Sequence, residues 1–442
     1  MYAMEMETRN TAITRLGDCR IPSPVSRRAQ GSNGTSFVSD DDRVLIDINV
    51  KRACRPPEEG DAPSYELAGP REHIFYDPSK LKCALVTCGG LCPGLNDIIR
   101  SIVLELHYGY GVRNILGVRY GLRGFISRYG YDTMPLTPSE VVNIHERGGV
   151  LIGSSRGPQD IDEIVDALER MNIGVLFMIG GDGTLSAATS ISDTVLRRRL
   201  KISVVGVPKT IDNDIHMVDR SFGFDTAVEV ATRAIVSASN EAEGYPNGIG
   251  LIKLMGRHSG FIAATATLAQ QDVNFVLIPE VDFDLDGPRG LLATLEKRLS
   301  DRGHAVIVVA EGAGQKFFLN EPVELDISGN VRLKDIGAFL KQRMLAFFEE
   351  RGIPTSIKYI DPSYMIRSLP ANANDRVFCN FLGRNAVHAG MAGKTDLVIG
   401  NWNNAFVHVP MKLVAGKRKH VNPKGMLWRS ALEATGQPAL KN

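Results

Sequence analysis

The chain has 442 residues, 43% of them hydrophobic, with 51 Lys and Arg against 50 Asp and Glu and a formal net charge of +1. That length suits two or three domains of roughly 100–200 residues each, and a charge so near zero excludes a nucleic-acid protein that binds through global positive charge. No apolar run reaches the roughly 18 residues of a membrane helix, and the N-terminal MYAMEMETRNTAITRLG lacks the continuous apolar core of a secretory signal. A cytoplasmic protein that engages neither membrane nor nucleic acid is expected. Six cysteines, Cys19, Cys54, Cys83, Cys88, Cys92 and Cys379, show neither zinc nor redox spacing and read as small, mostly buried thiols.

In chain order, residues 1–78 carry little periodicity. The stretch from Arg20 to Asp42 is rich in Ser, Gly and Arg, and Pro56, Pro57, Pro63 and Pro70 punctuate the remainder. Only Val44 to Val50 alternates as a strand does. A partly disordered extension docked on the body is expected. From Lys82 the pattern changes to short apolar runs separated by helical segments. The runs are Cys83 to Thr87, Asn114 to Val118, Gly174 to Ile179, Ile202 to Val207, Gly248 to Lys253, Phe275 to Ile278, Ala305 to Ala310 and Asp396 to Gly400. Unbroken Val/Ile/Leu strands alternating with helices are parallel strands covered on both faces. The fold class is therefore α/β, in two doubly wound, Rossmann-like domains. Ligands bind such sheets beyond the carboxyl ends of the strands, and the chemical clusters of this chain fall there.

The first cluster is Gly89-Gly90-Leu-Cys-Pro-Gly94-Leu-Asn96-Asp97, which leads into a helix from Ile98. Its glycines fit two readings, a phosphate cradle of backbone N–H groups or a tight turn without a ligand. Gly153-Ser-Ser-Arg156-Gly157-Pro comes next, with an arginine that suits either a phosphate or the solvent. In Gly180-Gly181-Asp182-Gly183-Thr184, before a helix from Leu185, three glycines clear space around one carboxylate. Asp182 fits a magnesium ligand, with the Gly183 and Thr184 amides on nucleotide phosphates, or else a helix N-cap. Last in this half is Pro208-Lys209-Thr210-Ile-Asp212-Asn-Asp214. Two carboxylates two residues apart point the same way on an extended segment, a pair able to divide the roles of base and support.

Those four motifs, in that order, resemble the 6-phosphofructokinase family. Lys253-Leu-Met255-Gly256-Arg257, Ala310-Glu311-Gly312 and Lys358-Tyr-Ile-Asp-Pro-Ser-Tyr364-Met-Ile-Arg367 extend the resemblance, which runs from about Arg71 to about Arg429. It implies phosphoryl transfer from ATP to the 1-hydroxyl of fructose 6-phosphate, with Mg²⁺ as cofactor and ATP as co-substrate. It also implies two α/β domains with the active site in the cleft between them. Residues 79–223 plus about 368–412 would bind ATP, and 224–367 plus about 413–442 would bind fructose 6-phosphate. A homotetramer is implied by resemblance alone.

The resemblance also assigns roles. Gly90, Arg156, Gly157, Gly181, Asp182, Gly183 and Thr184 would bind ATP, with Asp182 at the metal. Asp212 would be the general base, Thr210 and Lys209 would attend the travelling phosphoryl group, and Asp214 would support the base or the metal. Met255, Gly256, Arg257 and Glu311 would contact the sugar, and Lys358, Tyr364 and Arg367 the 6-phosphate, which forked guanidinium groups suit well.

A small Gly183 resembles the ATP users of the family, while Lys209 resembles both pyrophosphate users and the plant-like and trypanosomatid-like ATP enzymes. ATP is the expected donor, with pyrophosphate or a catalytically silent sugar-phosphate-binding paralogue as the alternatives. NAD and lipid kinases share Gly-Gly-Asp-Gly-Thr but not the later motifs. Leu122 stands where relatives carry Tyr beside the nucleotide, and Gly248 where simple bacterial relatives carry Arg. Residues 312–334, dense in turn formers, are expected to be a mobile loop beside the site.

Overall fold

The computed structural model describes residues 10–25, 37–49, 62–325 and 331–442. The described residues divide into two compact units. Unit 1 comprises residues 1–210, 215–223 and 369–418, and unit 2 comprises 211–214, 224–368 and 419–442.

Unit 1 is built on a sheet of nine strands. Its centre is parallel, in the order Asn114–Val118, Lys82–Thr87, Val175–Gly180, Ser203–Pro208 and Leu397–Trp402. Every residue of Val175–Gly180 and Ser203–Pro208 is buried, as unbroken apolar runs require when helices cover both faces. Helices Ile161–Arg170 and Asp182–Arg197 pack on the face that carries Ala84, Val86, Leu176, Met178 and Val204. Helix Ala373–Met391 lies against Val175–Gly180, Ser203–Pro208 and helix Leu95–Leu104. The helix starts are set locally: the Asp160 carboxylate accepts from Glu163 N–H, and the Asn372 side chain from Asp375 N–H.

Antiparallel strands close both ends of this sheet. Thr133–Pro135 flanks Asn114–Val118 at one end. At the other, Ala405–Pro410, Ser64–Leu67 and Arg43–Leu45 succeed one another. The strand expected over Val44 to Val50 is thus Arg43–Leu45; Val50 and Cys54 lie outside the described residues, as do 1–9, 26–36 and 51–61, on which much of the expected disorder falls. Ser64–Leu67 brings Glu66 into the interior, where Lys394, Arg71 and His408 surround it. Cys83, Cys88, Cys92 and Cys379 are buried free thiols and Cys19 is half-buried.

Unit 2 has a four-stranded parallel sheet in the order Phe275–Leu277, His304–Ala310, Gly248–Leu254 and Ser356–Ile360. Its core gathers Ile249, Leu251, Ile307 and Val309 with helices Leu291–Arg302 and Ile336–Glu350. Helix Phe224–Glu243 packs on Gly248–Leu254 and on helix Phe261–Gln270. Both sheets are therefore parallel at the centre and flanked by helices, the doubly wound α/β class. Among the described residues, no helix is long and apolar enough to cross a membrane.

Candidate active site

In unit 1, three turns at the carboxyl ends of parallel strands are tied to one another. After Lys82–Thr87, Gly89 N–H donates to the Ser155 carbonyl at 3.0 Å, and Ser154 Oγ donates back to the Gly89 carbonyl at 2.7 Å. Thr87 Oγ1 donates to the Gly153 carbonyl at 2.6 Å. Lys209, buried just past the end of Ser203–Pro208, donates from Nζ to the Gly90 carbonyl at 2.9 Å. Gly89 has φ 88°, and a Cβ there would fall 3.0 Å from that ammonium; only glycine lets backbone and Lys209 approach so closely. Gly89, Gly90, Lys209 and the Gly153-to-Ser155 turn thus form one framework, with Arg156 exposed and Gly157 following it in the chain.

The helix expected from Leu185 begins three residues earlier, at Asp182, with Gly181 as its N-cap. Asp182 is not the cap. Its carboxylate instead accepts the Gly416 N–H at 2.7 Å and lies 3.7 Å from the Arg418 guanidinium. Thr184 N–H donates to the Gly181 carbonyl at 2.9 Å. At Gly183 an added Cβ would meet nothing within 4 Å, so the helix start is open there. A helix N-terminus with an open, glycine-lined approach suits an anionic phosphate chain. Thr210 completes this half; its carbonyl accepts from Ser221 Oγ at 2.7 Å. Leu122 is buried in the core of the unit.

In unit 2, the polar groups gather at the carboxyl ends of Gly248–Leu254 and His304–Ala310. Asp212 accepts the Arg257 N–H on Oδ2 at 3.3 Å, and its carbonyl accepts from Ser259 Oγ at 3.1 Å. Burial pushes the Asp212 carboxyl up to about 7, with the Asp214 and Glu311 charges adding to the shift and Arg367 opposing it. Burial likewise raises Glu311, against the pull of Arg367, Lys253 and Arg257. Glu311 is placed by its N–H on the Leu254 carbonyl, at 2.9 Å. Met255 is fully buried, and its sulfur accepts from Arg367 Nε at 3.2 Å. Gly256, at φ 129°, leaves room for the turn: a Cβ there would fall 2.4 Å from the Ser259 carbonyl.

The structure thus brings together Asp212, Asp214, Met255, Gly256, Arg257, Glu311 and Arg367. It does not bring the Lys358 ammonium to them. Lys358 Nζ sits 3.7 Å from Glu241 and over the Tyr245 ring, toward the C-terminal end of helix Phe224–Glu243, and Tyr364 is 84% exposed. In the 312–334 segment, Gln315 is bonded to the Glu311 and Lys334 carbonyls, and the Arg257 guanidinium donates to the Val331 carbonyl; residues 326–330 lie outside the described residues.

Several partners escaped the sequence reading. Lys253 pairs with Asp361 at 2.8 Å and Asp335 at 3.3 Å. Glu280 accepts both Gly260 N–H and Val421 N–H. Gly416 and Arg418 hold Asp182, and the basic run Lys417-Arg-Lys-His420 was the only signal for them.

A buried carboxylate raised into the neutral range beside guanidinium groups, and glycine turns at a helix start, define a group-transfer enzyme acting on anionic substrates. The family is specific. The profile described as Phosphofructokinase matches residues 82–390, and this chain belongs to the phosphofructokinase family. It is 47% identical to "ATP-dependent 6-phosphofructokinase" of Borreliella burgdorferi, with all of both chains covered. It is 48% identical to "ATP-dependent 6-phosphofructokinase 7" of Arabidopsis thaliana, over 85% of this chain and 77% of the relative. Among solved structures it is similar in fold to a pyrophosphate-dependent phosphofructokinase from Marinobacter aquaeolei, with a TM-score of 0.66 and 20% identity, covering 80% of this chain and 91% of that one.

Proposed function

We propose that this chain is an ATP-dependent 6-phosphofructokinase, a phosphotransferase that moves the γ-phosphoryl group of ATP to the 1-hydroxyl of fructose 6-phosphate. The observation that carries the reading is the Asp212 carboxyl, pushed up to about 7 and held by the Arg257 N–H. A base of that strength suits removal of a hydroxyl proton near neutrality. Asp212 accepts the proton of the 1-hydroxyl, the freed oxygen attacks the γ-phosphorus, and ADP departs. Asp214 and Glu311 hold Asp212 basic, Glu311 accepts from sugar hydroxyls, and Arg257 and Arg367 carry the substrate's negative charge. Met255 and Gly256 shape the turn from which Arg257 extends.

On the nucleotide side, Gly90, Arg156, Gly157, Gly181, Asp182, Gly183 and Thr184 receive ATP, and Lys209 and Thr210 attend the transferred group. The names of relatives at 47% identity support ATP as donor, and the open space at Gly183 leaves room for an α-phosphate. Magnesium would draw charge from the phosphates during transfer. Asp182 fits it, because Mg²⁺ takes one or two carboxylates and fills its other positions with phosphate and water. Among the described residues no group of three His, Cys, Asp or Glu forms a ready-made cage. Assembly as a homotetramer and a cytoplasmic location are proposed from the family resemblance alone.

The test is formation of fructose 1,6-bisphosphate from fructose 6-phosphate and Mg²⁺ with ATP or pyrophosphate as sole donor. Turnover with ATP alone is expected. Turnover with pyrophosphate alone would overturn the donor, and silence of folded protein with both would favour a sugar-phosphate-binding paralogue.

A further inference from the structure

The proposed base is held from one turn of unit 2, between strand Gly248–Leu254 and helix Phe261–Gln270. Arg257 N–H donates to Asp212 Oδ2, and the fully buried Ser259 donates from Oγ to the Asp212 carbonyl at 3.1 Å. What fixes the turn itself lies farther along the chain. Gly260, its last residue, is the N-cap of the helix and has no side chain with which to close it. A larger residue has no room, since a Cβ there would fall 2.3 Å from Ile278. Glu280, just past the end of Phe275–Leu277, caps the helix from outside: Gly260 N–H donates to both of its oxygens, each at 3.0 Å.

Capping needs one partner, and Glu280 has two. Its Oε1 also accepts Val421 N–H at 2.7 Å. Residues 419–421 in turn touch both segments of the site. His420 Nδ1 donates to the His258 carbonyl at 2.8 Å, a carbonyl being able only to accept, and Lys419 N–H donates to the Asp214 carbonyl at 2.8 Å. The bonds close a circuit. It runs from Asp212 through Ser259 and Gly260 to Glu280, across to Val421, and back along the chain to Lys419 and Asp214. Asp212 and Ser259, 47 residues apart, are thus held by a third segment through one half-buried carboxylate. Bonds to an ionised acceptor are stronger than neutral ones, and a reacting group keeps its geometry only when its supports are themselves fixed.

We propose that Glu280 is a positioning residue for phosphoryl transfer: by joining the Gly260 turn to residues 419–421, it sets where the Asp212 carboxylate stands without itself meeting substrate. The proposal rests on the reading of Asp212 as the base. A residue that acts by orienting the base loses its effect once the base is gone, whereas a helix cap keeps its effect.

The test is steady-state kinetics and thermal melting of Glu280→Gln, alone and with Asp212→Asn, and of His420→Ala and His420→Asn. Glutamine keeps the shape of Glu280 but turns an NH₂ group toward one of the two N–H donors, which cuts one arm of the bridge. His420 is exposed, so its variants should melt as wild type does. The expected result in Glu280→Gln is a loss of kcat of roughly 10- to 100-fold, with KM for fructose 6-phosphate and for ATP within about twofold of wild type. His420→Ala should lower kcat in the same pattern, and His420→Asn, which retains an N–H donor, should restore it. With Asp212→Asn already present, Glu280→Gln should lower the residual rate by less than about threefold. An equal fold loss with and without Asp212→Asn overturns the proposal and leaves Glu280 a helix cap. Wild-type kcat in His420→Ala overturns it as well, even where Glu280→Gln does not fold. Wild-type kcat in Asp212→Asn overturns the reading of the base, and this proposal with it.

Discussion

The Asp212 carboxylate and the Arg257 backbone N–H meet at 3.3 Å, so the proposed base is oriented by the same residue whose guanidinium we propose for the substrate's negative charge. A single displacement of the turn at Gly256 would disturb both.

That coupling gives Gly256→Ala a definite outcome. The new methyl would fall 2.4 Å from the Ser259 carbonyl at a φ of 129°, so the turn must shift. Activity should drop about 100-fold or more, as misplacement of about 1 Å does in other sites, with stability falling as well. Steady-state kinetics alongside thermal melting measures both, and an unaltered kcat/KM would show that the turn does not position Asp212.

Asp212 predicts opposite pH trends for activity and stability. Its folded carboxyl, at about 7, is raised above the ordinary aspartate value of 3.8. The native state therefore binds more protons than the unfolded chain between those values, and this contribution to stability is lost as pH rises through about 7. Activity needs the ionised form and should rise over the same interval. Asp212→Asn should remove this part of the stability slope and lower kcat by about 10²–10⁴-fold, with fructose 6-phosphate binding nearly retained. Denaturation midpoints and rates measured across pH 5 to 9 test both halves.

At Gly183 the space for a side chain is open. Gly183→Asp should therefore fold normally, and a carboxylate in the first helical turn even favours the helix. ATP affinity should nevertheless fall at least about tenfold through repulsion of its phosphates. Equilibrium binding of ATP with Mg²⁺ checks this; wild-type affinity in the variant would remove Gly183 from the nucleotide site.

The buried cluster at Glu66 should carry stability. Lys394 lies 2.7 Å from Asp40 and also pairs with Glu66, and Lys394 and Glu66 are both almost fully buried. His408, Arg71 and Lys394 hold the Glu66 carboxyl well below its ordinary range despite burial, a contribution present above the unfolded value and lost as pH falls toward the folded one. Lys394→Met should cost about 3–5 kcal/mol, because it leaves buried carboxylate charge less well compensated. Chemical denaturation gives the number.

Sequence reading located the central strands because Val175–Gly180 and Ser203–Pro208 are unbroken apolar runs, the mark of strands covered on both faces. Edge strands carry no such mark. Ser356–Ile360 is only half-buried throughout and alternates polar and apolar residues. Ala405–Pro410 was announced only by Asn403-Asn404, both at positive φ, a two-residue hairpin signal. The motif residues that gather in unit 2 were legible because glycine, carboxylate and arginine occur there in fixed order. Gly416 as partner of Asp182 was not, since 234 residues separate them and no local pattern reports so distant a contact. Lys358 shows the converse: its motif was plain, but the pleat turns its ammonium toward Glu241.

The interleaving of the two units bears on how the polypeptide is made. Ser203–Pro208 gains its second neighbour only when Leu397–Trp402 arrives, nearly two hundred residues later on the ribosome. Until then a wholly apolar strand presents a bare edge, the situation that invites mispairing between nascent chains. Synthesis should thus be the most vulnerable moment of this protein's life, and chains cut short before residue 397 should aggregate instead of accumulating as a half-enzyme.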